Sequence, residues 1–376
     1  MKILPFEMER LQSTYEHQVE INLSESGVQP LRLRELVDDA DLETLVNQEL
    51  AYTQSNGTAE LRAAIASMYP GATADHVEVT SGGSEANFVT CWHLVEPGDA
   101  VVVMHPNYMQ TALLARAFGA AVDAWPFREA LTGPSPRWRG DIDELGRLVT
   151  PRTKLIVICN PNNPTGSRLQ DGELDEICRI ANRSGAWVLA DEIYRGAELD
   201  GRETPTLWGR YARVIVTSGL SKAYGLPGLR IGWIVAPPHL LTMLWSYHDY
   251  TTIAPSALGD LLARIALAPG RRRLLLERGR SILRSNYPIV REWVASHDGA
   301  LTQVEPEAGA ITFVRYRHAI ASRDLVTRVR ETSSVLLVPG EHFGMDGYVR
   351  IGYGGAAEAL REGLGRLGRL LATIPY

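Results

Sequence analysis

Unbroken runs of apolar and β-branched residues alternate along the chain with stretches in which apolar residues recur at helical spacing. The apolar runs predict strands at 77–80, 101–104, 121–123, 155–158, 187–190, 214–216, 311–315, 335–338 and 348–352. The helical spacing predicts helices from 58 onwards, from 81–87 through 94, over 109–118, 171–184, 237–247 and 255–267, from about 271 towards 297, and over 322–331 and 355–372. Strands without polar alternation are typical of a parallel sheet covered on both faces. The pattern therefore predicts an α/β fold with a mainly parallel central sheet flanked by helices.

The length of 376 residues is sufficient for two domains. We expect a large domain over 45–279 and a smaller α/β domain built from both termini, 1–44 and 280–376. Residues 1–44 fit no single regular element, because prolines and a turn-like stretch interrupt short helical patterns. The polar, Pro-rich stretch from Thr132 to Gly140 predicts a surface loop.

Composition narrows the classes of partner. A net charge of -6 and a pI near 5.9 disfavour nucleic acid, which would require a basic surface. The three cysteines, Cys91, Cys159 and Cys178, show neither paired nor metal-ligand spacing. They predict buried thiols, no metal site and a reducing, cytoplasmic environment. No apolar run reaches the roughly 18 residues of a membrane helix, so we expect no membrane partner.

Lys222 is notable because the chain has only three lysines among its 38 basic residues. A lysine amine can lose its proton and form a Schiff base, whereas a guanidinium stays charged, so a retained lysine indicates nucleophilic chemistry. Lys222 follows the strand at 214–216, Asp191 follows another strand, and 160–166 is a Pro-rich loop after a third. Open α/β sheets place their ligands at these carboxyl ends. The first amides of the helix opened by 81–87 predict an anion site nearby.

Two motifs carry a resemblance to a known family. The stretch 218–233, with Ser221-Lys222, an aromatic residue, Gly-Leu-Pro-Gly and then Arg230, resembles the cofactor-lysine segment of fold-type I pyridoxal-phosphate (PLP) enzymes, the aspartate aminotransferase family. The string Asn160-Pro-Asn-Asn-Pro-Thr-Gly166 is similar to a signature of fold-type I aminotransferases. The resemblance extends in order from Tyr52 to Arg350. It implies a cytoplasmic homodimer with active sites at the subunit interface, the large domain being the PLP-binding one.

The resemblance also implies an activity. Lys222 would hold PLP as a Schiff base while an amino group moves between an L-amino acid and a 2-oxo acid. β-Elimination, decarboxylation and oxidative deamination, which relatives in bacterial secondary metabolism perform on the same fold, remain open. A nicotinamide-dependent oxidoreductase is disfavoured, because no Gly-x-Gly-x-x-Gly follows the first strand.

The resemblance implies roles for individual residues. Lys222, Asp191 and Tyr194 are the implied catalytic residues, and Asp191 would keep the cofactor's ring nitrogen protonated. The implied cofactor contacts are Tyr52 from the neighbouring subunit, Gly83, Ser84, the backbone amide of Glu85, Tyr108 stacked on the ring, Asn163 and Tyr194 at the ring oxygen, Asp191, Ser221, Lys222 and Arg230. The implied substrate contacts are Arg350 at the α-carboxylate, Asn163, Gly27 and Val28.

One position departs from the family pattern. The family often has serine three residues before the lysine, where this chain has Gly219, so either Ser218 or Ser221 is expected to supply the hydroxyl for the phosphate. We also expect buried cationic surroundings to keep the Lys222 amine from full protonation, and Glu25 to contact a substrate with a basic side chain.

Overall fold

A computed structural model describes residues 2–131 and 136–375. The helices of the described residues are α1 Glu7–Tyr15, α2 Leu33–Leu36, α3 Asp39–Val46, α4 Ala59–Ala66, α5 Gly83–Leu94, α6 Gln110–Ala117, α7 Ile142–Leu148, α8 Asp171–Ser184, α9 Pro238–His248, α10 Ala257–Leu267, α11 Pro269–Ala295, α12 Ser322–Ser333 and α13 Ala357–Leu371. The strands are β1 Ile21–Asn22, β2 Val77–Thr80, β3 Ala100–His105, β4 Ala121–Ala130, β5 Arg137–Gly140, β6 Thr153–Cys159, β7 Trp187–Asp191, β8 Val214–Gly219, β9 Gly232–Val235, β10 Leu301–Gln303, β11 Ile311–Tyr316, β12 Val335–Leu336, β13 Val338–Pro339 and β14 Tyr348–Gly352. Over these two ranges, no helix combines the length and apolar character needed to cross a membrane.

The large sheet has eight strands in the order β2-β9-β8-β7-β6-β3-β4-β5. Its centre, from β8 to β4, is parallel, and β9 and β5 join it as antiparallel strands. Both faces are covered, because alternate residues of β6 enter different cores. Ile156 and Ile158 pack in one hydrophobic cluster, and Leu155 and Val157 pack in the other. The α/β class and the mainly parallel sheet are confirmed.

A second, four-stranded antiparallel sheet is formed by β10, β11, β14 and β13. Near it, β1 pairs in parallel with β12, so the N-terminal segment packs with the C-terminal part of the chain. The predicted boundary at 279 falls inside the 27-residue helix α11. The division into 45–279 and the two terminal segments stays a prediction.

Local signals predicted several element ends well. Thr58 is the N-cap of α4, and its hydroxyl accepts a hydrogen bond from the amide of Leu61, which is buried with Ile65. Gly185 ends α8 in the left-handed conformation with φ 76°, as expected of a glycine after a helix. These ends depend on neighbouring residues alone, which explains why the sequence is informative about them.

The predicted surface loop at 132–140 is wrong over its second half. Thr132 to Ser135 lie outside the described residues, whereas Arg137–Gly140 pairs with β4 as an antiparallel strand. The reason is the indole of Trp138, which is buried against Phe313 and Tyr348 of the second sheet.

Two other strand predictions need correction. The strand predicted at 335–338 is divided, since β12 pairs with β1 and β13 pairs with β14. The strand β9 was not predicted from the sequence, although it lies between β2 and β8. In each case one strand partner is distant in the sequence, namely β1 for β12 and β2 for β9.

Candidate active site

A cavity of about 370 Å³ lies at the carboxyl ends of the parallel strands. Lys222, Asp191 and Asn163 follow or end the neighbouring strands β8, β7 and β6, so their side chains meet at one edge of the sheet. The cavity wall includes nine residues that the sequence predicted, namely Gly83, Ser84, Tyr108, Asn163, Asp191, Tyr194, Ser221, Lys222 and Arg230. The topology thus brings together groups spread over about 150 positions of the chain.

Lys222 has a carboxylate partner in the cavity. Its Nζ lies 2.9 Å from Glu25 Oε1, and the same carboxylate oxygen accepts the amides of Ser26 and Gly27. The Lys222 ammonium is the main reason why the pKa of Glu25 falls to about 2. Burial acts to lower the pKa of Lys222, but the charges of Glu25 and Tyr194 outweigh it and raise that pKa. The expectation of cationic surroundings that keep this amine partly neutral is therefore wrong for the unliganded protein.

Asp191 is a carboxylate held between neutral donors. Asn87 Nδ2 donates to its Oδ2 at 3.1 Å, and the amide of Ile193 donates to its Oδ1 at 3.1 Å. Asn87 is in turn oriented by the hydroxyl of Thr217, which donates to Asn87 Oδ1 at 2.7 Å. Burial raises the pKa of Asp191, and the two N–H donors oppose that shift. A cationic ring nitrogen next to this carboxylate would supply the missing opposite charge.

The start of α5 forms an anion-binding corner. The amides of Gly83 and Ser84, its first two residues, precede the first helical hydrogen bond, and Gly82 comes before them with φ 85°. A Cβ added to Gly82 would lie 2.5 Å from Arg230 Nη2, so glycine is what lets the guanidinium approach the turn. Arg230 also donates to the carbonyl of Ser81 at 3.3 Å. Backbone amides and a guanidinium at one corner suit a phosphate group.

Ser218 and Ser221, the two candidates to supply the phosphate hydroxyl in place of Gly219, have different surroundings. Ser221 lines the cavity, whereas the hydroxyl of Ser218 donates to the carbonyl of Glu192 at 3.1 Å. Glycine at 219 is required by packing, because an added Cβ would lie 2.9 Å from the carbonyl oxygen of Ile231. The geometry favours Ser221 as the hydroxyl that faces a cavity ligand.

Arg350 is fully buried and reaches the cavity through Asn163. Its Nη1 donates to Asn163 Oδ1 at 3.0 Å, and its Nη2 donates to the carbonyl of Ser24 at 2.6 Å. Burial lowers the pKa of Arg350. The hydrogen-bond acceptors of this buried guanidinium among the described residues are all neutral, so it is suited to an incoming carboxylate, which it can bind through two parallel bonds.

Besides Arg350, four predicted residues do not line this cavity. Tyr52 is 86 % exposed, and its predicted contact with a neighbouring subunit stays a prediction. The amide of Glu85 donates to the Gly82 carbonyl at 3.2 Å, and its side chain contacts Thr252. Gly27 and Val28 lie next to the backbone of Lys222, where the Val28 amide donates to the Lys222 carbonyl at 3.2 Å.

Other cavity residues were missed by sequence reasoning. Helix α1 contributes Glu9, Gln12 and Ser13 to the wall, and its C-cap residue, Glu16, also lines the cavity. Their spacing of three and four residues places them on one helix face, and this is the signal that could have found them. Asn87 stood inside a recognised motif without an assigned role, and nothing local connects it with Asp191, 104 residues away.

These features define a lysine-containing enzyme site that suits PLP, with an amine for its aldehyde, a buried carboxylate for its ring nitrogen and an anion corner for its phosphate. Comparison with known proteins agrees, since the model of the family described as "Aminotransferase class I and II" matches residues 21–367. The chain belongs to this family of PLP-dependent enzymes.

Individual relatives cover almost the whole chain. Capreomycidine synthase of Streptomyces vinaceus is 33% identical over 95% of this chain and 91% of its own length. A PLP-dependent aminotransferase from Streptococcus suis has a TM-score of 0.92 at 31% identity, with 100% of both chains covered. A PLP-dependent cyclase, OrfR, has a TM-score of 0.89 at 30% identity, covering 99% of this chain and 98% of its own.

Proposed function

We propose that the protein transfers an amino group between an L-amino acid and a 2-oxo acid. The observation that carries the proposal is the shared cavity of Lys222, Asp191 and Asn163, with Arg350 bonded to Asn163. PLP, when bound, supplies the electron sink that weakens bonds at the substrate's α-carbon. The protein must then bind the substrate, orient one bond and move one proton.

We assign the cavity residues the following roles. Lys222 Nζ is the group that takes and returns the proton of the substrate α-carbon. Asp191, oriented by Asn87, keeps the ring nitrogen of the cofactor charged. Arg350 binds the α-carboxylate of the substrate. Ser84, Ser221 and Arg230, with the amides that start α5, would hold the phosphate. Tyr108 would contact the ring, and Asn163 and Tyr194 would bind its oxygen. Burial raises the pKa of Tyr194 to about 12, so its hydroxyl remains a donor at neutral pH.

The charge of the cavity wall indicates the substrate's side chain. Arg350 serves the α-carboxylate and Arg230 the phosphate, while Glu9 of α1, its C-cap residue Glu16 and Glu25 face the same cavity. Glu25 pairs with Lys222, whereas Glu9 and Glu16 form no ion pair with a lysine or arginine of the described residues, and such carboxylates favour a positively charged side chain. We propose a basic L-amino acid as the donor, which extends the sequence-based prediction for Glu25.

A second reaction is favoured by two of the relatives. One is named a synthase and the other a cyclase, so ring closure is a candidate outcome at the same site. The alternative uses the same Lys222 and Asp191 and differs in which bond of the substrate breaks. The structure of the cavity wall is compatible with either product.

A product assay distinguishes these reactions. The PLP-loaded protein is incubated with arginine, ornithine, aspartate and phenylalanine separately, first without and then with a 2-oxo acid. Transamination predicts one equivalent of new oxo acid per active site without an acceptor, and turnover with one. Ammonia or a ring-closed product formed catalytically without an acceptor would instead establish elimination or cyclisation. If no amino acid changes the cofactor absorbance, the proposal is wrong.

Glu16→Gln tests the substrate class separately. The substitution should raise KM for a basic donor and leave kcat nearly unchanged. Glu16 is proposed to bind the substrate's side chain and has no part in the roles assigned to Lys222 and Asp191. Glu20→Gln is the matched control, since Glu20 pairs with Arg366 outside the cavity. Equal KM values in wild type and Glu16→Gln would reject the assignment of a basic donor.

We also propose that the enzyme is a cytoplasmic homodimer. The described thiols are free and buried, which suits a reducing compartment. Val46, Leu50, Tyr52 and Tyr250 form exposed apolar surface, and a hydrogen bond from Thr53 to the Pro255 carbonyl joins the two chain segments involved. An apolar patch of this kind is typical of a subunit interface. Sedimentation equilibrium of wild type and Leu50→Glu tests it, with dissociation expected only for the variant.

A further inference from the structure

A buried charged cluster lies behind the anion-binding corner. It consists of Glu78 on β2, His248 at the end of α9 and Glu85 in the first turn of α5, and we call it the His248 cluster. His248 Nδ1 lies 3.4 Å from Glu78 Oε1, and His248 Nε2 lies 3.5 Å from Glu85 Oε2. The side chains of His248 and Glu78 are 0% and 1% exposed. None of the three lines the cavity.

The His248 cluster is connected to the turn that precedes α5. Glu85 Oε2 accepts the amide of Ser81 at 2.5 Å, so the carboxylate holds the first residue of the Ser81–Ser84 turn. Glu85 also accepts the hydroxyls of Thr251 and Thr252, which belong to the loop after α9. The position of this turn therefore depends on where the Glu85 carboxylate is held.

Charge balance makes His248 the central member. Burial acts to lower the pKa of His248, but Glu78 and Glu85 raise it to about 9. The imidazole is accordingly a cation at neutral pH, placed between two carboxylates that would otherwise repel each other in a buried space. Removing one member of such a buried group leaves uncompensated charge and displaces the rest.

We propose that His248 is a positioning residue that fixes the Glu85 carboxylate, and through it the Ser81–Ser84 turn, for binding the phosphate of PLP. The inference rests on the proposed assignment of the phosphate to this corner. His248 does not line the cavity, so it acts through Glu85, either directly or by way of Thr252. Its contribution should appear only with ligands that carry the phosphate.

The test compares PLP with pyridoxal, which has the same ring and aldehyde but no phosphate. Dissociation constants of both are measured for apo wild type, His248→Gln and His93→Gln. His93 is a matched control, because it is a partly buried histidine at the far end of the same helix α5. We expect His248→Gln to weaken PLP binding roughly tenfold and pyridoxal binding by less than about twofold, because the ion pair that holds Glu85 is lost and only PLP carries the phosphate.

Each other result has a defined meaning. Equal weakening of both ligands, or no change in either, overturns the inference and leaves His248 a purely structural residue. If wild type binds PLP no better than pyridoxal, the phosphate corner itself is wrongly assigned, which is a failure of the proposed function and not of His248 alone. If wild type binds neither ligand, the proposed cofactor site is wrong.

A milder variant covers the case in which His248→Gln does not fold. The Thr252 hydroxyl lies 3.0 Å from His248 Nε2 and donates to Glu85 Oε1 at 2.9 Å, so it bridges the two members. Thr252→Val should weaken PLP binding by a smaller factor than His248→Gln, again without affecting pyridoxal. Unchanged PLP affinity in a folded Thr252→Val protein would also overturn the inference.

Discussion

The stability of the apoprotein should fall as the pH rises through neutrality, and His248 should be the cause. Its pKa is raised from 6.5 to about 9 in the folded protein by Glu78 and Glu85, against the effect of burial. A histidine whose folded pKa is raised stabilises the fold fully below the unfolded pKa, and this contribution disappears as the pH rises through the folded pKa. The loss should therefore occur between about pH 6.5 and pH 9.

The magnitude follows from the same pKa values. At about 1.4 kcal/mol per pH unit, a rise from 6.5 to about 9 corresponds to a contribution on the order of 3 kcal/mol. The acidic groups that face the imidazole are Glu78 from β2 and Glu85 from α5. Burial raises the pKa of Glu78, and the charges of Glu85 and of Asp249, which follows His248 in the chain, raise it further. The pKa of Glu85 is about 2, so this carboxylate stays charged throughout the interval. A loss of this size is a large part of the stability of a typical domain.

Urea unfolding of the apoprotein at pH 6.5 and pH 9, followed by circular dichroism, measures the effect. Wild type should lose on the order of 3 kcal/mol more than His248→Gln between these two pH values. His93→Gln should behave like wild type, because burial lowers the pKa of His93 and its titration lies below this interval. Equal losses in wild type and His248→Gln would refute the reasoning.

Three further predictions concern the cavity and its glycine. Lys222→Ala should lose covalent PLP attachment and turnover with an unchanged circular dichroism spectrum, while Lys154→Ala retains both; a Lys222→Ala protein that turns over at the wild-type rate contradicts the proposed role. Glu25→Gln should lower the pKa of Lys222, because its carboxylate partner at 2.9 Å is removed, and PLP capture measured by stopped-flow absorbance should reach its maximal rate at a lower pH. An unshifted pH profile would count against that ion pair. Gly82→Ala should weaken PLP binding more than Gly71→Ala. Both glycines have positive φ, but only at Gly82 would the added Cβ lie 2.5 Å from a guanidinium nitrogen. Equal PLP affinities of the two variants would show that this contact is unimportant.

Much of the fold could be predicted because its signals are local. The apolar run before Asn160 and the run before Asp191 are strands for reasons contained in four or five residues. Strands of one parallel sheet end at the same edge, so the residues that follow them could be assigned to a common site. The element β5 escaped prediction because its Trp138 is buried only by residues almost two hundred positions later.

The contacts of the cavity wall join residues that are distant in the sequence, so the sequence did not predict them. Glu25 and Lys222 are separated by 197 positions, and they meet because the amide of Val28 bonds to the Lys222 carbonyl. The sequence indicated an unusual lysine but not its charge state, which is decided by this carboxylate. Asn87 is likewise brought to Asp191 by the packing of α5 on the sheet.

The sequence by itself determined the chemistry available to the protein: an amine able to form a Schiff base, a carboxylate at a strand end and a glycine turn that opens a helix. These properties are carried by single residues and by short-range backbone preferences. Tertiary structure alone decided which charges surround each group, including Glu25 beside Lys222 and His248 between Glu78 and Glu85. The physical reason is that pKa values and orientation depend on burial and on distances of a few ångströms, which chain order does not specify.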